Sequence, residues 1–271
     1  MSKWNGKILI YIIDTFYLGM RIIALKPKFR ARVFFFVEQN IPPYFKFIYF
    51  CIFSPRNTPM HFSLKKINQY CEQHTSPPSE VLYELERATH LQTLAPQMVS
   101  GHVQGQLFTF LSQMIQPKAI LEIGTFTGYA AICFAKGLPE DGVLHTIEAN
   151  EEFEYIIRDF VKRAELEDKI KLHLGDAKAI IPTLDMQFDL IFLDAAKREY
   201  AQYYDLLFDK LKTGGFLLVD NVLWDGKVVE EKKNIDTRAL DEFNKKVQAD
   251  ERVENVLLPI RDGIMMVRKN G

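Results

Sequence analysis

The chain has 271 residues, 34 Lys/Arg against 35 Asp/Glu and a net charge of −1, enough for one large α/β domain with an appendage. That balance hides an asymmetry: residues 1–59 carry nine Lys/Arg against only Asp14 and Glu38, which leaves the remainder at −8 and argues against a nucleic-acid partner, whose phosphates need a basic groove. Cys51, Cys71 and Cys133 have neither disulfide-framework nor Cys-x-x-Cys spacing, which fits a reducing, cytoplasmic setting, and no His-x-x-x-His pattern points to zinc.

Residues 1–59 form a basic extension with fourteen aromatics. Ile8 to Leu25 is apolar but interrupted by Asp14 and Arg21, whose charges are costly inside a membrane span, and the run from Phe45 to Phe53 is too short to cross. A basic start without a small-residue cleavage site does not make a signal peptide. Three readings stay open: a membrane-associating amphipathic segment, an unusual packing extension, or leader sequence upstream of a start at Met60. The composition change at Met60 favours the last. The expected division is therefore 1–59 as extension and 60–271 as catalytic domain, with membrane contact only if the extension is native.

From there the elements follow in order. Leu64 to Gln73 predicts a short amphipathic helix, broken by Ser76-Pro77-Pro78-Ser79. Ser79 is placed to cap a second helix from Glu80 to Leu91. Gln104 to Gln116 predicts a third, closed by Pro117. Strand Ala119–Gly124 then leads into helix Gly128–Lys136, strand Val143–Glu148 into helix Asn150–Ala164, and strand Ile170–Gly175 into a short helix before Pro182. Strand Phe188–Asp194 leads into helix Glu199–Leu211, and strand Gly215–Asp220 through a loop into a helix over Thr237–Gln248. Strands Val253–Ile260 and Gly263–Arg268 finish the chain, joined by the tight Arg261-Asp262-Gly263 turn. Alternating strands and helices predict a doubly wound, Rossmann-like, mostly parallel sheet, and the final hairpin adds one antiparallel strand.

Two apolar runs end abruptly in oxygen donors: Phe192-Leu-Asp194-Ala-Ala-Lys197 and Leu217-Leu-Val-Asp220-Asn221. Buried strands that deliver acids at their C-terminal edge are how open α/β sheets build sites. Asp194, Asp220 and Asn221 offer oxygen ligands only, which suits a hard cation such as Mg²⁺. Lys197, three residues past Asp194, can serve the same pocket or be a solvated helix residue. Either Asp can instead be a plain helix cap. The turn Gly124-Thr-Phe-Thr-Gly128 lets backbone approach a ligand at a helix N-terminus, yet Phe126 excludes a dinucleotide fingerprint and no Lys-Ser/Thr follows for a P-loop. Glu148, about 20 residues on, is placed for ribose hydroxyls. The bland alternative makes Glu148 and Asp176 helix caps. Trp224 is either a core aromatic or a wall against a flat substrate, and Met98 can be simple filler. A cofactor turn combined with an oxygen-ligand cation site indicates a metal-assisted transferase.

In Met98-Val-Ser100, Leu121-Glu-Ile-Gly-Thr-Phe-Thr-Gly-Tyr129, Ile147-Glu148, Gly175-Asp176-Ala177, Phe192-Leu-Asp-Ala-Ala-Lys197, Val219-Asp-Asn221 and Leu223-Trp-Asp-Gly226, in this order, the chain resembles the cation-dependent class I S-adenosylmethionine O-methyltransferases, the group of catechol and caffeoyl-coenzyme A O-methyltransferases. The resemblance spans roughly Phe62 to Lys269. It implies metal ligands at Asp194, Asp220 and Asn221, a lysine base at Lys197, a ribose acid at Glu148 and an adenine-side acid at Asp176. By the same resemblance Met98, Ser100, Glu122, Gly124, Phe126, Thr127, Gly128, Ala130, Ala177 and Asp194 complete the cofactor site, and Lys197, Asn221 and Trp224 meet the substrate. Ala130 stands where the family often has serine, and Ala196 where many plant-like members have aspartate. The implied reaction is Mg²⁺-assisted methylation of a vicinal dihydroxy aromatic small molecule by a homodimer. The alternatives are a metal-independent methyltransferase acting on nitrogen or carboxylate, and a non-catalytic membrane-associated binding protein.

Overall fold

In the computed structural model, residues 9–15, 20–26, 32–36 and 64–271 are described. The expected start at Met60 and the aromatic run from Phe45 to Phe53 lie outside them. The chain divides into two units, Met1–His61 and Phe62–Gly271. In the first, β1 (Leu9–Thr15), β2 (Met20–Lys26) and β3 (Arg32–Phe36) form an antiparallel sheet. Asp14 and Arg21, which break the apolar stretch in sequence, are cross-strand partners in its register. The amphipathic-segment reading had given this stretch no strands.

The second unit is a seven-stranded sheet between helices. Its strands are β4 (Ala119–Ile123), β5 (Val143–Glu148), β6 (Ile170–Leu174), β7 (Phe188–Leu193), β8 (Leu211–Val219), β9 (Val253–Leu258) and β10 (Ile264–Lys269). Their order is β6-β5-β4-β7-β8-β10-β9. The pairs among β4 to β8 are parallel, and β10 runs antiparallel to both β8 and β9. The sequence-based fold class is therefore the observed one.

The helices are α1 (Leu64–Gln73), α2 (Glu80–Gln92), α3 (Gly101–Ile115), α4 (Tyr129–Ala135), α5 (Glu154–Arg163), α6 (Ala177–Ile180), α7 (Tyr200–Phe208) and α8 (Ile235–Gln248). No helix among the described residues is long and apolar enough to cross a membrane. Ser79 sits at the N-cap of α2 as expected but makes no capping bond; Lys136 Nζ engages its hydroxyl instead. Helix α3 starts at Gly101, earlier than the predicted Gln104. Strand β8 starts at Leu211, because Gly214 and Gly215 continue it through an irregular register against Phe188–Leu190.

Both faces of the sheet are covered, so the central strand β4 is buried along its whole length rather than on alternate residues. Ala119, Leu121 and Ile123 of β4 pack with Phe188, Leu193, Tyr200, Tyr204, Leu240 and Phe243 on one face. Ile120 packs with Phe108, Ile132, Phe134 and Phe192 on the other, where Phe108 and Phe134 stack at 4.5 Å. Between β4 and its two neighbours, β5 and β7, the connections diverge to opposite sides. A doubly wound sheet opens its ligand crevice at that reversal, beyond the strand C-termini.

The β9–β10 turn is packed against the loop after β8. Gly263 has φ 90°, and a Cβ there would meet Leu223 Cγ at 2.4 Å. Gly263→Ala should therefore destabilise the fold by roughly 1–3 kcal/mol. Urea denaturation checks this: the midpoint should fall with an unchanged slope.

Candidate active site

The turn after β4 is shaped by close backbone approach. Gly124 has φ 93°, and a Cβ on it would lie 2.1 Å from the carbonyl oxygen of Asp194. Gly124 N donates to Ile147 O at 3.0 Å and Asp194 N to Ile123 O at 2.9 Å, so β4 is clamped to both neighbours at its end. Phe126 sits at φ 52°, and its N–H is held by Glu148 Oε2 at 2.7 Å. Glu148 Oε1 accepts from Asn150 N at 2.9 Å. The carboxylate thus receives the next segment's N–H and lines the cleft, while the helical cap there is Asn150, whose Oδ1 accepts from Glu152 N, and not Glu148 as the bland alternative had it. With two of its roughly four lone-pair positions taken, it keeps acceptors for a ligand. Asp176 does have both roles: it caps α6 by accepting from Lys178 N at 2.9 Å, and it lines the cleft with Ala177.

Strands β7 and β8 deliver the other half. Lys197 Nζ is ion-paired with Asp194 Oδ1 and donates to Tyr200 Oη at 2.9 Å; Tyr200 Oη donates to Asp220 O at 3.0 Å. Asp220 is buried. Its Oδ1 accepts from Asn221 N at 2.7 Å and its Oδ2 from Gln104 Nε2 at 2.6 Å. Burial, and then the charge of Asp194, pushes the Asp220 carboxyl up to about 6. Burial likewise raises the Tyr200 phenol well above its ordinary range.

Met98, Gly124, Phe126, Glu148, Asp176, Ala177, Asp194, Lys197, Asp220, Asn221 and Trp224 share one cleft of about 1510 Å³. Ser100, Thr127 and Ala130 line a 20 Å³ hollow against the turn, which Met98, Gly124, Phe126 and Asp194 also border. Two expected cofactor residues border neither space. Gly128 instead starts α4 at φ 92°. Glu122 is fully buried: it accepts from Thr146 Oγ1 at 2.5 Å, and its Oε1 has no partner. The reason is strand parity, which turns Glu122 to the same side as Ile120, beneath the helices. Met98 is 55% exposed, so it is not filler. Trp224 both lines the cleft and packs on the core edge, in a loop where Trp224, Asp225 and Gly226 have φ values of 49°, 54° and 76°. The sequence reading missed Tyr200, Gln104 and Arg261. Only Tyr200 had a local signal, its position three residues after Lys197.

The cleft fits the groups its residues imply. A glycine cradle that a Cβ would fill, with a carboxylate at the end of the next strand, matches a nucleoside-bearing ligand. Two carboxylates and one amide oxygen match a hard divalent cation. Among the described residues no three His, Cys, Asp or Glu cluster as a metal site, so Asn221 is needed to complete the set.

Known proteins similar to this chain are methyltransferases. A family model described as O-methyltransferase matches residues 72–270. A caffeoyl-CoA O-methyltransferase of Stellaria longipes is 29% identical over 203 residues, covering 70% of this chain and 84% of that protein. The SAH-bound methyltransferase PaMTH1 of Podospora anserina superimposes with a TM-score of 0.71 at 28% identity, over 80% of this chain and 98% of that one. The O-methyltransferase TomG of Streptomyces achromogenes, in complex with SAM, gives 0.70 at 26% identity, over 76% and 96%.

Burial, with further contributions from Asp194 and Glu148, pushes the Glu122 carboxyl from 4.5 up to about 8. The folded chain then keeps a proton that the unfolded chain has lost, so stability falls as pH rises between those values and levels off above them. Glu122→Gln, nearly isosteric with the neutral acid, should remove this slope and stabilise the protein on the order of 2 kcal/mol at pH 8. Thermal melts from pH 5 to 8 check it: the wild-type melting temperature should decline across this range and the variant's should not.

Proposed function

The chain belongs to the O-methyltransferase family and is an S-adenosylmethionine-dependent O-methyltransferase; we propose that it methylates one hydroxyl of a catechol-like, vicinal dihydroxy aromatic small molecule with the help of a divalent cation such as Mg²⁺. The observation that carries this is a single cleft in which the Gly124 turn, two strand-end acids, Asn221 and Lys197 all meet. We assign the reaction to residues 60–271 and treat residues 1–59 as dispensable for it. A cytoplasmic homodimer belongs to the same proposal.

In this reading Gly124, Phe126 and Glu148 seat the ribose end of the methyl donor, Asp176 and Ala177 take its adenine side, and Met98 and Ser100 cover it. Asp194, Asp220 and Asn221 would hold the cation. A divalent cation held there would supply Lewis-acid chemistry, favouring the deprotonated form of an acceptor hydroxyl. Asp194 is contacted from both halves of the site, by Gly124 and by Lys197, so positioning of acceptor against donor rests on a short stretch of backbone. In its neutral form, freed from the ion pair with Asp194, Lys197 would accept the hydroxyl proton as general base, with Tyr200 orienting its amine. Trp224 forms one wall against the aromatic ring.

Charge favours a compact acceptor over a coenzyme A thioester such as the plant relatives' name implies. Glu148, Asp176, Asp194, Glu199, Asp220, Asp225 and Asp262 face the cleft against only Lys178, Lys197 and Arg261. Burial raises the Asp262 carboxyl, while the Asp225 N–H that it accepts lowers it and the Asp225 charge raises it in smaller measure. A polyanionic nucleotide tail would add to that repulsion, as would nucleic acid.

Full-length protein and residues 60–271 should both methylate simple catechols with Mg²⁺, should prefer them to caffeoyl-coenzyme A, and should lose turnover after exhaustive EDTA treatment. Turnover that survives chelation would support the metal-independent alternative. Lys197→Met should lower kcat by about 10²–10⁴-fold with little change in cofactor affinity. A variant with full kcat would leave proton removal to solvent.

A further inference from the structure

The long side chain of Arg261, in the β9–β10 turn, reaches across to the segment that covers the cofactor end of the cleft. Its Nη1 donates to Val99 O at 3.0 Å, to Ser100 O, and to Gln104 Oε1 at 3.0 Å. Gln104 is fully buried in α3. Its amide has two ends, and chemistry fixes which way it faces. A guanidinium has donors only, so it claims Oε1. The amide NH₂ is thereby aimed at Asp220 Oδ2, 2.6 Å away. With Asn221 N on Oδ1, both Asp220 oxygens are anchored and their remaining lone pairs point in set directions.

We propose that Gln104 and Arg261 are positioning residues for the divalent-cation site, Arg261 fixing the sense of the Gln104 amide and Gln104 fixing the Asp220 carboxylate; this rests on the reading of Asp220 as a metal ligand. The two residues differ in what else they touch. Arg261 also ties down Val99 and Ser100 and so acts on the cofactor cover. Gln104 acts directly on Asp220 and meets the cover only through Arg261, which keeps its bonds to Val99 and Ser100 without it. Residues that orient a metal ligand typically contribute 10–100-fold in metal affinity.

The test uses the full chain and two direct binding measurements: Mn²⁺ by electron paramagnetic resonance and S-adenosylhomocysteine by calorimetry. Gln104→Met should weaken Mn²⁺ binding about tenfold and leave S-adenosylhomocysteine affinity within about twofold. Arg261→Ala should weaken both, and Arg261→Lys should restore part of each. Because the influence of Arg261 on the cation runs through Gln104, Arg261→Ala added to Gln104→Met should cause no further loss of Mn²⁺ affinity, while still lowering S-adenosylhomocysteine affinity. Should Gln104→Met not fold, Gln104→Glu keeps an acceptor for Arg261 but no donor for an ionised Asp220, and the same loss is expected. Wild-type Mn²⁺ affinity in a folded Gln104 variant, or additive losses in the double variant, would overturn the proposal. Wild-type protein that binds S-adenosylhomocysteine but no Mn²⁺ would instead remove the metal reading beneath it.

Discussion

The contact between Gly124 and the backbone of Asp194 is the constraint on which the site depends. Neighbouring parallel strands normally end with their side chains apart. Here β4 turns so sharply past β7 that only hydrogen fits on the Gly124 α-carbon, with the Asp194 carbonyl directly behind it. The same few atoms therefore set where a nucleoside-bearing donor can approach and where the acid of β7 projects. Neither half of the site can shift without the other. Placing this contact at the reversal of strand order gives it open space ahead and a rigid, fully buried β4 behind.

A second consequence of gathering strand ends is a crowd of carboxyl groups, and the fold relieves each in its own way. Glu148 receives two backbone N–H groups. Asp194 is paired with Lys197. Asp220 has a buried amide and a backbone N–H but no cation, and it remains beside the charge of Asp194. Glu122, with no positive partner at all, stays neutral because burial disfavours its ion.

Much of this was legible in the sequence, because it is written locally. An apolar run that stops in Asp or Asp-Asn marks a buried strand with oxygen donors at its edge, which is how Asp194, Asp220 and Asn221, now seen to line one cleft, became candidates. Alternation of strand and helix gave the sheet, and a short turn between two last strands gave the antiparallel hairpin. Gln104 and Arg261 were illegible for a different reason. Gln104 lies 116 residues from Asp220 and 157 residues from Arg261, and nothing nearby in sequence marks a Gln in a helix or an Arg in a turn as partners. Glu122 shows the reverse error. It occupies a motif and was read as a ligand contact, whereas its place between Leu121 and Ile123 in a strand covered on both faces already put it under a helix. In residues 9–36, charged interruptions of an apolar run hid three strands whose register sets Asp14 opposite Arg21.

The position of β10 has an implication for synthesis. Because β10 lies between β8 and β9, the sheet is not assembled in the order in which the ribosome delivers it. A nascent chain that has reached Asp220 carries β8 as a bare edge, and it keeps that edge through the whole of α8 and β9. Only when residues 264–269 emerge can the gap be filled, and the same turn brings Arg261 against Val99 and Ser100. Most of the polypeptide must therefore wait, with an open strand to protect, for a final short segment to complete the pocket.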